Sequence, residues 1–117
     1  MTVLARLMGL RTISPRDLSR ELEERRTAVF DVNGPGSWER AHVPGARRLD
    51  PAAFEPSDLP AERSAALVFY CSNPLCRKAP NAARRARGFG YENVRVMSAG
   101  IQGWIGAGLP VESVARQ

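Results

Sequence analysis

Short apolar runs that alternate with segments of helical spacing predict an α/β fold, with a parallel sheet and helices on both of its faces. The clearest run is AALVFY at residues 65–70, whose unbroken apolar character fits a strand covered on both faces. With 117 residues the chain is long enough for one core, so we expect one domain. We place an N-terminal arm at 1–11, the domain at 12–112 and a C-terminal tail at 113–117.

An amphipathic helix is the first element predicted after the arm. Ser14 precedes it with a side chain that commonly caps helices, and Pro15 suits the first helical position. Leu18 and Leu22 lie four residues apart and therefore share one face. We expect this helix to end near Arg26.

A core strand is predicted at residues 28–32, AVFDV, and it is followed by the breaker sequence NGPG. Asp31 lies near the carboxyl end of this strand. We interpret it as a structural aspartate that caps the following turn or binds loop amides. Residues 37–41 then fit one helical turn, and the HVPGA turn leads into a short strand at 47–49.

His42 is the only histidine of the chain, and imidazole is the side chain best suited to act as a base near neutral pH. It precedes a Pro-Gly turn, however, and no acidic residue lies close to it in the sequence. We therefore interpret His42 as a structural hydrogen-bonding residue with Trp38 packed over it.

The second half of the chain continues the alternation of strands and helices. Residues 51–63 read as a loop with a short helix, and a basic helix follows the strand at 65–70. Gly88 and Gly90 are placed to end that helix in left-handed conformations. A last strand at 94–97 and a helix at 101–107 complete the fold. Small residues at helical spacing allow the basic helix to lie close to the sheet: Ala79, Ala82, Ala83 and Ala86.

Composition argues against several classes of protein. No apolar run approaches the roughly 20 residues that span a bilayer, and the opening segment lacks a small-residue cleavage site. We therefore expect a cytoplasmic protein with no membrane partner. The two cysteines are too close together to staple distant segments, which fits a reducing compartment. With a single histidine and two cysteines the sequence predicts no four-ligand metal site, and it predicts no cofactor.

The net charge of +5 arises entirely from the second part of the chain. Residues 1–70 contain equal numbers of basic and acidic side chains, whereas residues 71–117 are strongly basic. This positive field is centred on the cysteines, where it attracts anions. The cluster Arg84, Arg85 and Arg87 lacks interleaved aromatic residues and any DNA-binding motif. We interpret it as a solvated helix face and expect no nucleic-acid partner.

Cys71 directly follows the strand at 65–70, and the basic helix begins a few residues later. In open α/β sheets the ligand crevice lies at the carboxyl ends of the strands, where a helix N-terminus offers unpaired N–H groups and a positive partial charge. With Arg77 and Lys78 beside it, this placement predicts an acidic thiol that acts as a nucleophile. A buried structural cysteine is the alternative interpretation.

From about Ile13 to Val111 the chain resembles the rhodanese-like (single-domain sulfurtransferase) family. The matching pieces are, in order, ISPRDL, FDV, AHVPGA, VFYC, GFGYENV and SAGIQGWIGAGLPV. The resemblance implies a roughly five-stranded sheet. It also implies that Cys71 accepts sulfane sulfur as a persulfide and passes it to a thiophilic acceptor. The implied partners are a small anionic sulfur donor, such as thiosulfate, and a thiol acceptor.

The loop after Cys71 departs from the family pattern. Sulfurtransferases of this type usually carry CxxGxR, whereas CSNPLCR has the C-x5-R spacing that resembles Cdc25-type phosphatases and arsenate reductases of the same fold. These two activities are alternatives, although Pro74 removes one N–H donor from an oxyanion cradle and no loop carboxylate could act as a general acid. A third alternative is a binding or redox-sensing module without turnover. Where the family usually has arginine after FDV, this chain has Asn33.

Substrate binding is assigned to the loop and its flank. We expect Arg77 and Lys78 to attract the anion, and backbone N–H groups of the loop to stabilise the persulfide, namely those of Asn73, Leu75, Cys76 and Arg77. Cys76 either fills an apolar niche or acts as a resolving thiol that attacks a persulfide or sulfenic acid on Cys71 and leaves a disulfide. The full predicted set is Ser72, Asn73, Pro74, Leu75, Cys76, Arg77 and Lys78.

Overall fold

The computed structural model describes residues 10–114. Its sheet has five strands in the order β1-β5-β4-β2-β3, and all neighbouring strands pair in parallel. The predicted α/β fold with a five-stranded parallel sheet is confirmed. Residues 1–9 of the predicted arm and residues 115–117 of the predicted tail lie outside the described part of the chain. The strands are β1 (Arg11–Thr12), β2 (Ala28–Asp31), β3 (Arg47–Arg48), β4 (Leu67–Tyr70) and β5 (Val94–Val96).

Within residues 10–114, the connections between strands carry three α-helices and one short 3-10 helix, and a fourth α-helix follows the last strand. Ser14 caps the first helix as predicted, because its Oγ accepts a hydrogen bond from the Asp17 N–H at 3.1 Å. That helix ends at Glu23 rather than near Arg26, and Arg25 then adopts a positive φ of 55°. The helices are α1 (Pro15–Glu23), α2 (Pro35–Arg40), α3 (Lys78–Gly88) and α4 (Gly100–Gly106), with the 3-10 helix at Pro56–Asp58.

Both faces of the sheet are covered by apolar side chains. Phe30 and Phe69 pair across β2 and β4 and face a cluster that contains the buried alanines of α3. Val29 and Val68 point to the opposite face, towards Leu18 of α1 and the α4 residues. This arrangement places β4 in the centre of the fold, with its whole length buried. The carboxyl end of β4 is therefore fixed by packing from two sides.

The ends of two elements differ from the sequence prediction. Gly90 has a left-handed φ of +100° as expected, but Gly88 is simply the last residue of α3. The two-residue strand β1 was not predicted, because two residues show no periodicity and only their pairing with β5 defines them. Among residues 10–114, no helix has the length and apolar character needed to cross a bilayer.

Candidate active site around Cys71

Cys71 follows β4 at the carboxyl edge of the sheet and lies close to the first turn of α3. The residue is 3% exposed and belongs to the apolar cluster beneath α3. The backbone N–H groups of Ser72 and Ala79 interact with its sulfur and favour the charged form. Cys71 therefore lies where the carboxyl end of β4 approaches the N-terminus of α3, as its position in the sequence suggested.

The predicted acidity of the Cys71 thiol is wrong for this structure. Burial raises its pKa to about 12, and its contact with the Cys76 thiol acts in the same direction. The N–H groups of Ala79 and Ser72 offset only part of this effect. The neutral thiol donates a hydrogen bond to the backbone oxygen of Cys76 at 3.6 Å. The sequence showed the helix N-terminus but not how deeply the alanine face of α3 would bury the sulfur.

Cys76 is the more acidic of the two thiols. Its partial burial alone would raise its pKa, but the net effect is a lowered pKa. The Cys71 thiol, the backbone N–H groups of Lys78 and Ser72, and the charge of Lys78 all stabilise a Cys76 thiolate. Negative charge at this site therefore resides first on the half-buried Cys76, directly beside the neutral Cys71.

The segment between the two cysteines forms a closed turn. The Cys76 N–H donates to the Asn73 carbonyl at 3.2 Å, and the Leu75 N–H donates to Asn73 Oδ1 at 2.9 Å. Asparagine at the first position and Pro74 at the second are typical of such a β-turn. Consequently, two of the N–H groups predicted to bind a persulfide, those of Leu75 and Cys76, already have partners within the loop.

The donors that face the Cys71 sulfur come from other residues than those expected. They are the N–H groups of Ser72, next to the cysteine, and of Ala79, in the first turn of α3. The rule that the first N–H groups of a helix lack intrahelical partners would have identified Ala79 from the sequence. Arg77 and Lys78 are exposed at the rim, where their charge attracts anions.

Asn33 holds the start of the loop from the side of β2. The Ser72 hydroxyl donates to Asn33 Oδ1 at 2.8 Å, and Arg48 donates to the Asn33 carbonyl at 3.3 Å. Asn33 is 3% exposed, and its Nδ2 has no partner at hydrogen-bonding distance. The residue that stands where relatives usually have arginine thus ties Ser72 to the sheet.

Helix α4 binds the same part of the loop through backbone hydrogen bonds. The N–H groups of Ile101 and Gln102 donate to the carbonyls of Cys71 and Ser72 at 2.9 and 3.1 Å. Gly100, with φ of +68°, lies so close that a Cβ there would be 2.5 Å from backbone atoms of Ser72. Only glycine permits this approach.

Asp31 lies at the same edge of the sheet, but its side chain is buried among structural hydrogen bonds. It is fully buried and accepts hydrogen bonds from the Tyr70 hydroxyl at 2.7 Å and from the Asn33 N–H at 2.8 Å. The Tyr70 hydroxyl in turn accepts from the Val43 N–H at 3.0 Å. Burial raises the pKa of Asp31. These bonds join β2, β4 and the turn after His42 into one buried unit.

His42 is held by two residues, Trp38 and Glu112, neither of which belongs to the Cys71 loop. Its ring stacks on Trp38 with centroids 4.3 Å apart, and Nδ1 donates to the Trp38 carbonyl at 2.6 Å. Nε2 lies 3.8 Å from a carboxylate oxygen of Glu112, whose backbone also pairs with that of His42. Sequence reasoning missed Glu112 because it lies far along the chain.

Within residues 10–114, no three His, Cys, Asp or Glu side chains cluster as metal ligands would.

Comparison with known proteins places this arrangement in context. Residues 14–107 match the sequence model of the family described as Rhodanese-like domain. The chain is 33% identical over 105 residues to the HTH-type transcriptional regulator Rv0324 of Mycobacterium tuberculosis, a match that covers 88% of this chain and 45% of the regulator. It is 28% identical over 98 residues to the probable adenylyltransferase/sulfurtransferase MoeZ of M. tuberculosis, covering 80% of this chain and 24% of that protein.

A solved structure with the same fold carries a named activity. Thiosulfate sulfurtransferase from Pseudomonas aeruginosa superposes with a TM-score of 0.78 at 26% identity, over 90% of this chain and 20% of the other. The chain spans less than half the length of the curated relatives reported above.

Proposed function

Because the chain belongs to the rhodanese-like domain family, we propose that it transfers sulfane sulfur from thiosulfate or a persulfide to a thiophilic acceptor through a persulfide on Cys71. The observation that carries this proposal is the placement of Cys71, whose sulfur lies between the end of the central strand and the N–H of Ala79 at the start of α3. The likeness to a thiosulfate sulfurtransferase supports it further.

The expected first step is attack of the Cys71 sulfur on the outer sulfur of thiosulfate. The S–S bond of thiosulfate breaks, sulfite leaves with the electron pair, and Cys71 keeps the sulfane sulfur as a persulfide. Cys71 must release its proton to the medium first, because the thiolate is the nucleophile. The N–H groups of Ser72 and Ala79 then stabilise the charge that remains on sulfur. The exposed Arg77 and Lys78 attract the anionic donor towards the loop.

The internal bonding of the loop favours a sulfur donor over a tetrahedral oxyanion such as arsenate or a phosphate ester. An oxyanion cradle needs several N–H groups that converge on one point. Here Pro74 has no N–H, and those of Leu75 and Cys76 are engaged with Asn73. The additional residue of the C-x5-R spacing is thus accommodated by the turn at Asn73 to Cys76.

A second candidate is a sensing module that uses the same cysteines without turnover. Two observations favour it: the likeness to a transcriptional regulator, and the direct contact between the Cys71 and Cys76 thiols. In this case Cys71 would accept sulfur or become oxidised, and the change would be passed to other parts of a longer protein.

Mass spectrometry with thiosulfate tests the proposal. We expect the reduced protein to release sulfite and Cys71→Ser to release none, because serine cannot form a persulfide. The Cys76→Ser protein should carry a ~32 Da adduct on Cys71. Turnover of arsenate or an aryl phosphate without sulfite release would instead support the oxyanion alternatives. Sulfite release by Cys71→Ser would refute the assignment of Cys71. Release of one equivalent of sulfite, with no further turnover when excess cyanide or thiol acceptor is present, would favour the sensing module.

A further inference from the structure

We propose that Cys76 is a built-in thiol acceptor, which attacks the sulfane-loaded Cys71 and leaves a Cys71–Cys76 disulfide with release of sulfide. The inference rests on the proposed function, since it begins from the Cys71 persulfide. It adds an internal partner for the sulfur and a second product.

Proximity is the first support for this step. The Cys71 sulfur lies 3.6 Å from the backbone oxygen of Cys76, and the two thiols interact directly. The turn from Asn73 produces this proximity, because its two hydrogen bonds fold the chain back towards Cys71. A disulfide requires Cα atoms about 4.4–6.8 Å apart, and the turn already brings the Cys76 backbone to hydrogen-bonding distance of the Cys71 sulfur.

Access to the sulfur is the second support. Cys71 is 3% exposed in the reduced protein, so it offers little surface to an external thiol. Cys76 is half-buried and already inside the site. It is also the thiol that the surrounding N–H groups and Lys78 stabilise as the thiolate, which is the attacking form. The acceptor nearest to the sulfane sulfur is therefore part of the same loop.

The step balances in atoms and electrons. The Cys76 thiolate attacks the inner, Cys71 sulfur of the persulfide, and a new S–S bond forms between the two cysteines. The bond between Cys71 and the outer sulfur breaks, and the outer sulfur takes a proton from the medium and leaves as hydrosulfide with the electron pair. The sulfane sulfur is reduced, and the two cysteine thiols are oxidised to the disulfide. Return to the starting state requires an external dithiol, which reduces the disulfide by thiol exchange.

A single-turnover experiment under nitrogen tests the proposal. The reduced protein, freed of reductant, is mixed with thiosulfate; sulfite, sulfide and intact mass are then measured, and the cysteines are located by peptide mapping. We expect the wild-type protein to release sulfite and sulfide in equal amounts and to become about 2 Da lighter. Cys76→Ser is the matched control, and it should release sulfite but no sulfide and retain the ~32 Da adduct on Cys71. Dithiothreitol should reduce the wild-type disulfide without releasing further sulfide and so permit a second round, whereas from the Cys76→Ser protein it should release sulfide as it removes the outer sulfur.

The outcomes separate the two proposals. Sulfite release with a stable adduct on wild-type Cys71 and no sulfide would overturn the role of Cys76 while leaving sulfur transfer intact. An adduct mapped to Cys76 would overturn it as well, because the outer sulfur would then have been attacked. Absence of sulfite from the folded wild-type protein would refute sulfur transfer from thiosulfate itself. Peptide mapping of the wild-type protein decides the matter even if the Cys76→Ser protein fails to fold.

Discussion

Replacing Gly100 with alanine measures how firmly the loop that carries Cys71 rests on α4. Gly100 has φ of +68°, and a Cβ built there lies 2.5 Å from the carbonyl atoms of Ser72 and 2.6 Å from the nitrogen of Asn73. These neighbours are backbone atoms, so no side-chain rotation relieves the contact. The loop or the helix must move.

The expected cost follows from two terms. A left-handed conformation costs a residue other than glycine about 1–2 kcal/mol. Displacing a well-packed segment adds about 1–3 kcal/mol. The hydrogen bonds from Ile101 and Gln102 to the loop carbonyls lie next to the contact and weaken with it. We therefore expect Gly100→Ala to lower the free energy of unfolding by about 2–5 kcal/mol and to slow sulfite release, because Cys71 loses its position.

Urea denaturation and single-turnover sulfite release measure the two effects. Gly106→Ala is the matched control in the same helix, since no atom lies within 4 Å of the added Cβ and Gly106 has no left-handed φ. It should leave sulfite release unchanged and alter stability by no more than about 1 kcal/mol, in the stabilising direction. Equal urea midpoints for Gly100→Ala and the wild-type protein would refute the close approach of α4 to the loop.

Three further predictions concern polar and ionisable side chains with hydrogen-bond partners inside the protein. Tyr70→Phe leaves a carboxylate oxygen of Asp31 and the N–H of Val43 without the hydroxyl that binds them. It should therefore lower the free energy of unfolding by about 2–4 kcal/mol, and an unchanged urea midpoint would argue against this hydrogen-bond network. The Arg95 hydrogen bonds lower the pKa of Glu21 to about 2, whereas the unfolded value is about 4.3. The stability that this ion pair contributes is therefore present above pH ~4.3 and is lost as the pH falls towards 2. Glu21→Gln should reduce that loss of stability in acid denaturation. Because burial raises the pKa of Cys71 to about 12, iodoacetamide should modify Cys76 first near neutral pH, while modification of Cys71 continues to rise with pH; a plateau for Cys71 near neutrality would contradict this.

Local signals predicted much of the fold, because the deciding contacts lie close together in the sequence. Ser14 caps α1 through the N–H three residues later, and Leu18 is buried on the predicted face. Strand β4 was visible as an apolar run for the same reason. By contrast, β1 exists only through its pairing with β5, a contact between distant segments that no local pattern reveals.

The sequence predicted the position of Cys71 at the end of β4 but not the pKa of its thiol. The place of Cys71 follows from the strand before it, which is local. Its pKa depends on how closely α3 covers the sulfur, which is a property of tertiary packing. The partner of His42 was missed because Glu112 comes from the other end of the domain. The Asn73-Pro74 pair was read only as a lost N–H donor, although the same two residues also predict a turn.

The anchoring of the loop decides which part of it can move. Asn33 and α4 bind the first residues of the loop, and its last residues lead directly into α3. The turn that carries Leu75 and Cys76 is therefore anchored on both sides. Leu75 is 87% exposed at the tip of this turn. Formation of the proposed disulfide would move Cys76 towards Cys71, and Leu75, the residue before it, would carry that displacement to the protein surface.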